Sequence, residues 1–357
     1  MNNTAAHSHE KFLKLDRDPE QSAKAARLTY VSDSKPGIVR QKKGKGYTYI
    51  YAGKKLKDKS ELERIKCLAI PPSWTNVWIC PDANGHIQAT GLDLNRRKQY
   101  RYHRQWNMLR SETKFHRLYE FGKALPLLRR KIKKDMEGVE LTETKVLATV
   151  INIMEQTHIR VGNNDYEKLY GSYGLTTLKD RHVTIKKEDI LFSFTGKKGI
   201  EHSITIKSKR LARIIRQCRD IPGKELFQYY AVNGQKSSID SGMVNNYIKE
   251  VTQAEFTAKD FRTWAGSLQA LESFKSLEEP LADSDIRKNI ITVLDAVSSK
   301  LGNSRSICRK YYIHPGLIQL YEENKLKNYF STSPSKEKTP GLSAEERILM
   351  QTLKKSI

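Results

Sequence analysis

Near the C-terminal end, Leu301 to Gly316 crowds Asn303, Arg305, Arg309, Lys310 and the adjacent tyrosines Tyr311 and Tyr312 ahead of Pro315. A tyrosine hydroxyl is a competent nucleophile towards phosphorus, because a phosphotyrosyl ester splits one difficult displacement into two reversible ones. Without a metal, that chemistry needs cationic donors for the non-bridging oxygens and an acid for the leaving oxygen. Arg160, Lys197, Arg262 and Asn303 are side chains of those kinds, but they lie far apart and only a fold can bring them together. The plainer reading of the stretch is a basic amphipathic helix whose tyrosines reach outward from a core. The chain has no HExxH, no EF-hand loop, no spaced Cys/His cluster and no GxxxxGK[ST] loop, so neither a metal site nor an ATP-driven motor is visible.

The elements that must carry these residues can be read from apolar spacing. Val146, Leu147, Val150, Ile151 and Met154 make the stripe of a helix over Glu143 to Gln156, and Thr157-His-Ile-Arg-Val-Gly162 follows it. Arg160 at that exit is placed either to grip a phosphate with its planar fork or to satisfy the last carbonyls of the helix. Ile190 to Thr195 and Glu201 to Lys207 read as strands joined by Gly196-Lys-Lys-Gly199, which puts Lys197 and Lys198 at a hairpin tip. Thr257-Ala-Lys-Asp260 opens a helix with Phe261, Trp264, Ala265 and Leu268 buried, and Arg262 lies beside that stripe. Residues 208 to 277 read as mainly helical. Asp283 to Leu301 is a further helix leading into Asn303, and Leu317 to Lys325 another beyond Pro315.

Length and charge set the frame. At 357 residues the chain has room for two domains. Its formal net charge of +24 attracts polyanions, nucleic acid above all. It has no apolar run long enough to span a membrane and no signal peptide, which implies cytoplasmic residence. Cys67, Cys80, Cys218 and Cys308 are far apart, without CxxC spacing, and read as buried free thiols.

The fold class expected is α+β, a small β-rich N-terminal lobe followed by a mainly α-helical lobe. Residues 1–25 read as a flexible segment, 26–110 as the β-rich lobe, 111–330 as the helical lobe, and 331–357 as a Ser/Pro/Lys linker with a short capped helix. In the first lobe, Ser60-Glu-Leu-Glu63 opens a short helix, and Val77 to Cys80 and His86 to Thr90 form a hairpin. The lobe closes on Gly91 to Trp106, where Lys98, Arg101 and Arg104 interleave with Tyr100, Tyr102 and Trp106. That mixture suits phosphate contacts with polar or stacking contacts to bases, or else is a solvated basic strand.

From Leu28 to about Tyr321 the chain resembles the type IB DNA topoisomerases of the compact poxvirus-like bacterial group. The resemblance rests on Leu68-Ala-Ile-Pro-Pro-Ser-Trp74, Gly91 with Lys98-Gln-Tyr-Arg-Tyr-His103, Ile159-Arg-Val-Gly162 and Tyr173-Gly-Leu-Thr-Thr-Leu178. It continues through Phe194-Thr-Gly-Lys197, Lys259-Asp-Phe-Arg-Thr-Trp264, Leu301-Gly-Asn303 and Arg309-Lys-Tyr-Tyr-Ile-His314. It implies a two-lobed clamp around duplex DNA, with Tyr312 forming a 3′-phosphotyrosyl link and freeing a 5′-hydroxyl. The cut strand swivels, supercoils relax, and the hydroxyl attacks back. Arg160 and Arg262 would hold the phosphate, Lys197, helped by Arg160, would protonate the leaving oxygen, and neither ATP nor a metal would be needed. Lys98, Gln99, Tyr100, Tyr102 and Arg309 would bind DNA, and the protein would act as a monomer at the nucleoid.

Two features depart from or complicate that pattern. Poxvirus and nuclear enzymes carry His where this chain has Asn303, and an amide cannot shuttle protons near neutral pH; the implied role is to hold a phosphate oxygen. Tyr311 directly precedes Tyr312, and alignment through Arg309-Lys310 selects Tyr312. A tyrosine recombinase would share the Arg/Lys/Arg/Tyr set, but usually shows His-x-x-Arg where this chain has Lys259-Asp-Phe-Arg262. A non-catalytic DNA-architectural protein would account for the charge and leave the ordered motifs unexplained.

Overall fold

Alternating aromatic and aliphatic residues fold the early part of the chain into a sheet. In the computed structural model, which describes residues 9–44, 46–94, 96–278, 282–331 and 340–355, the chain separates into two compact units, Met1–Arg117 and Leu118–Ile357.

The first unit opens with α1 (His9–Arg17) and α2 (Pro19–Ala25). This corrects the flexible start expected for residues 1–25 wherever the chain is described. Phe12 and Leu15, one helical turn apart, bury against Leu109, and the Asp18 side chain caps α2 through the Glu20 and Gln21 amides. Two short helices with so few apolar residues show no visible period. Then come β1 (Ile38–Lys43), β2 (Gly46–Tyr51), β3 (Lys54–Lys55), α3 (Lys59–Cys67), β4 (Thr75–Ile79), β5 (Ile87–Leu92) and β6 (Lys98–Tyr102). The strands form one antiparallel sheet in the order β3-β2-β1-β4-β5-β6. Ile38, Val77, Ile79 and Ala89 pack on its inner face with Ile65 of α3. Asp58 caps α3, in place of the expected Ser60, by accepting from the Ser60 and Glu61 amides.

Helix α4 (Arg104–Asp135) begins directly after β6 and runs unbroken through Pro126, so Arg104 and Trp106 are helical, unlike the solvated basic strand that was one of the two readings. Its later turns enter the second unit, whose large core also takes in α5 (Glu143–Thr157), β7 (Val183–Lys186), β8 (Asp189–Thr195), β9 (Glu201–Lys207) and α7 (Lys209–Arg219), while the short α6 (Asn164–Tyr170) buries no residue. Strands β7, β8 and β9 form a three-stranded antiparallel sheet. A small hairpin of β10 (Gln228–Tyr230) and β11 (Lys236–Ser238) interrupts the region read as helical; three-residue strands are too short to show alternation.

Helices α8 (Ser241–Thr252), α9 (Ala258–Ser276), α10 (Asp283–Leu301), α11 (Arg305–Tyr311), α12 (Pro315–Glu322), α13 (Lys327–Ser331) and α14 (Ala344–Lys355) complete the unit. Most of α9 is buried, with Phe121 meeting Phe261 and Trp264 edge to face, and the expected Thr257/Asp260 capping box is present. Most of the linker expected at 331–341, residues 332–339, lies outside the described residues. Beyond it, α14 returns to the core through Ile348, Leu349 and Leu353. Cys80, Cys218 and Cys308 are buried free thiols, whereas Cys67 is exposed, contrary to expectation. Among the described residues no helix is long and apolar enough to cross a membrane.

Candidate active site

Helix α5 ends because His158 turns into the left-handed region (φ 57°), and this turn releases Ile159 to Gly162 as a loop across the core. Two backbone bonds hold the loop: the Leu175 amide donates to Arg160 O at 2.9 Å and the Thr176 amide to Val161 O at 2.7 Å. Arg160 is thereby aimed at the end of α10. Its Nη2 donates to Asn303 Oδ1 at 2.6 Å and to Gly302 O at 3.1 Å.

Arg262 approaches the same point from α9. It is only 6% exposed, so it lies in the packed interior and not merely beside the apolar stripe. Its Nη2 donates to Leu301 O at 2.6 Å, and its Nη1 to His158 O, tying the end of α5 to the end of α10. Its Nε is buried with no hydrogen-bond acceptor among the described residues. The Arg262 guanidinium carbon also stands 5.3 Å from the centre of the Tyr312 ring.

Tyr312 caps the C-terminus of α11 and is half-buried, whereas Tyr311 is exposed. The Tyr312 backbone rests on α9. Ser267 Oγ donates to Tyr312 O at 3.3 Å and accepts from the His314 amide at 3.0 Å. A Cβ on Gly266 would sit 2.6 Å from Tyr312 O and 2.9 Å from Tyr312 Cβ, so only glycine permits this approach.

The centre is cationic and poorly hydrated. Burial, then the neighbouring Arg262, pull the Arg160 guanidinium down to about 10, against Tyr312 and Cys308, and it stays charged at neutral pH. Burial, then Lys300 and Arg262, lower His158 to about 4, keeping that imidazole neutral. Burial pushes the Cys308 thiol up to about 11 despite both arginines, so it remains protonated. A phosphodiester is the kind of anion such a site attracts.

Lys197 occupies the expected hairpin tip between β8 and β9. It is exposed, and its Nζ stands 5.1 Å from the centre of the Tyr166 ring. Arg160, Arg262, Asn303 and Tyr312 therefore form one cluster, with Lys197 on a turn of the same unit. Arg309 is exposed on α11. Of the first-unit candidates, Lys98, Tyr100 and Tyr102 share the more exposed face of β6. The Tyr100 and Tyr102 rings stack at 5.6 Å and 9°, Lys98 pairs with Asp33 at 2.6 Å, and Gln99 Nε2 donates to Asp93 Oδ2 at 2.9 Å. The carbonyls of His158, Leu301 and Gly302, and the Gly266-Ser267 seat, were missed in the sequence. A carbonyl leaves no sequence signal; a Gly-Ser pair inside a buried helix face was the available hint.

The sequence model of the family "Eukaryotic DNA topoisomerase I, catalytic core" matches residues 103–337, and that of "Bacterial DNA topoisomerase IB, N-terminal domain" matches residues 46–93. The DNA topoisomerase 1B of Acanthamoeba polyphaga mimivirus is 32% identical over 296 residues, 81% of this chain and 88% of the relative. The DNA topoisomerase 1B of Vaccinia virus (strain Copenhagen) is 24% identical over 277 residues, 74% of this chain and 83% of the relative. Among solved structures, a XerH site-specific recombinase bound to difH substrate has a TM-score of 0.35 and 16% identity, over 59% of this chain and 52% of that one; so slight a likeness bears no weight. The chain belongs to the type IB DNA topoisomerase family.

Proposed function

We propose that this topoisomerase relaxes supercoiled duplex DNA through a covalent bond between Tyr312 and a 3′-phosphate. The phenolic oxygen gives its proton to solvent water and attacks phosphorus; the bond from phosphorus to the 5′ oxygen breaks, and Lys197 supplies the proton that the leaving oxygen takes up. Arg160, Arg262 and Asn303 hold the non-bridging oxygens, where negative charge builds in the transition state. The ester conserves the energy of the broken bond, so the released 5′-hydroxyl reverses the step after the strand has swivelled, without ATP or metal. Lys98, Gln99, Tyr100, Tyr102 and Arg309 contribute DNA contacts, and the protein works as a monomer at the nucleoid.

The observation that carries this reading is the Arg160–Asn303–Arg262–Tyr312 cluster. Relaxation of a single supercoiled plasmid in EDTA without nucleotide tests it. Wild-type protein is expected to relax the plasmid, and Arg262→Ala to be slower by roughly a hundredfold or more. A requirement for nucleotide, or an Arg262→Ala protein as fast as wild type, would refute it.

A further inference from the structure

His202 belongs to no catalytic set described above, yet it touches two pieces of backbone that bear on the chemistry. It stands in β9 opposite Phe194 of β8, and the two rings stack at 5.0 Å and 24°. The imidazole lies against Gly196, the residue before Lys197: a Cβ there would come within 2.6 Å of His202 Cδ2 and Nε2. It also lies against Gly302, where a Cβ would meet His202 Cε1 at 3.2 Å. Gly302, at φ 58°, ends α10 and leads to Asn303, and its carbonyl accepts from Arg160. One flat ring thus touches both the turn that carries the proton donor and the loop that holds the phosphate ligands. Glycine at both contacts lets the ring approach both backbones closely.

We propose that His202 is a positioning residue, a spacer that fixes the Lys197 turn against the Gly302–Asn303 loop. The turn itself is tight but protrudes. The Gly196 amide donates to Ile200 O at 2.7 Å, while Lys198 and Gly199 at the tip have φ of 66° and 72°. Its base is therefore where a neighbour can control the aim of Lys197, and the stacked ring sits at that base. Burial, followed by the Arg160 and Arg262 charges and opposed by Glu201, holds the imidazole below its ordinary pKa. A neutral ring adds no cation to a centre that already holds two arginines. Misplacement of a proton donor by an ångström is enough to lose one to two orders of magnitude in rate.

This inference rests on Lys197 acting as the general acid, so the test separates the two. Single-turnover cleavage is measured on a duplex with an ordinary 5′ oxygen at the cut site, and on the same duplex with a bridging 5′ sulfur, which leaves without protonation. His202→Ala is expected to slow the oxygen substrate by roughly tenfold to a hundredfold and to cleave the sulfur substrate within about threefold of wild type. His202→Phe, which keeps a flat ring, is expected to stay near wild type on both. Gly196→Ala, whose methyl would strike the ring, is expected to repeat the leaving-group-dependent defect and serves if His202→Ala does not fold. Equal slowing on both substrates, or no slowing on either, would overturn the spacer role. Failure of the sulfur substrate to rescue Lys197→Ala would overturn the general-acid assignment, whatever the His202 variants do.

Discussion

Arg160 Nη2 donates to Asn303 Oδ1 at 2.6 Å, so the amide at this position orients the arginine. Its own Nδ2 donates to Leu301 O at 3.3 Å, next to the bond from Arg262 to the same carbonyl. Asn303 is thus a junction between the two arginines, a role that needs hydrogen bonding and no proton transfer. Asn303→Ala is expected to slow single-turnover cleavage roughly tenfold to a hundredfold. Asn303→Asp, which sets a carboxylate against Arg160 and repels phosphate, is expected to be slower still. An Asp variant faster than the Ala variant would count against the arrangement.

The contact between Gly266 and the Tyr312 backbone makes a steric prediction. In Gly266→Ala the new methyl meets two atoms of Tyr312 at 2.6 and 2.9 Å, neither of them a flexible end, so Tyr312 must shift. Cleavage is expected to fall about tenfold or more, with non-covalent DNA affinity kept. Unchanged cleavage kinetics would mean that this backbone relaxes without moving the phenol.

Lys98 pairs with Asp33 on the exposed face of β6, beside the stacked tyrosines. If it meets a phosphate when DNA binds, Lys98→Ala should lower the slope of log affinity against log salt by about 1. Equilibrium titrations at several salt concentrations give that slope. An identical slope would place Lys98 outside the contact surface.

How much of this could be read in the residues differs from one part of the site to another. Lys197 at a hairpin tip was legible because Gly-Lys-Lys-Gly lies between two alternating strands, and Arg262 on a capped helix because Thr257 and Asp260 have the right spacing. Tyr312 and Arg160 were legible only through motif resemblance, since neither spacing nor hydropathy separates Tyr312 from Tyr311. The burial of Arg262 was misread because its partners are the carbonyls of His158 and Leu301, which any residue supplies. The helices over 9–25 were missed for a related reason: their burial depends on Leu109 and Trp106, distant in sequence.

Helix α14 was foreseen, but its polar attachment was not. Arg129 donates to both Glu346 oxygens, at 2.9 and 2.7 Å, and to Glu155 Oε1 at 2.8 Å, while Trp264 Nε1 donates to Glu346 at 3.1 Å. The Glu346 side chain is only 5% exposed, and truncating one partner of such a pair costs roughly 3 kcal/mol. Glu346→Gln is expected to lower the denaturant midpoint accordingly. Acid dependence follows from the two carboxylates. Burial raises Glu346, but the bonds from Arg129, Ser343 and Trp264 outweigh it and hold the group below the usual range. Its contribution is full above the unfolded-state pKa and is lost as pH falls through the folded one. Burial raises Glu155 despite Arg129, so its ionisation costs stability at neutral pH, and that cost is relieved as pH falls through its folded pKa. Stability should therefore rise slightly on mild acidification and then fall, with Glu155→Gln removing the rise. Denaturation at a series of pH values would expose the opposite order.

The central claim is that Tyr312, and not its exposed neighbour, forms the covalent bond to DNA. The direct measurement is denaturant trapping of the cleavage complex, followed by mass spectrometry of the peptide that retains a nucleotide. The remnant is expected on Tyr312, with Tyr311→Phe forming the adduct and Tyr312→Phe forming none. A remnant on Tyr311, or plasmid relaxation undiminished in Tyr312→Phe, would contradict it.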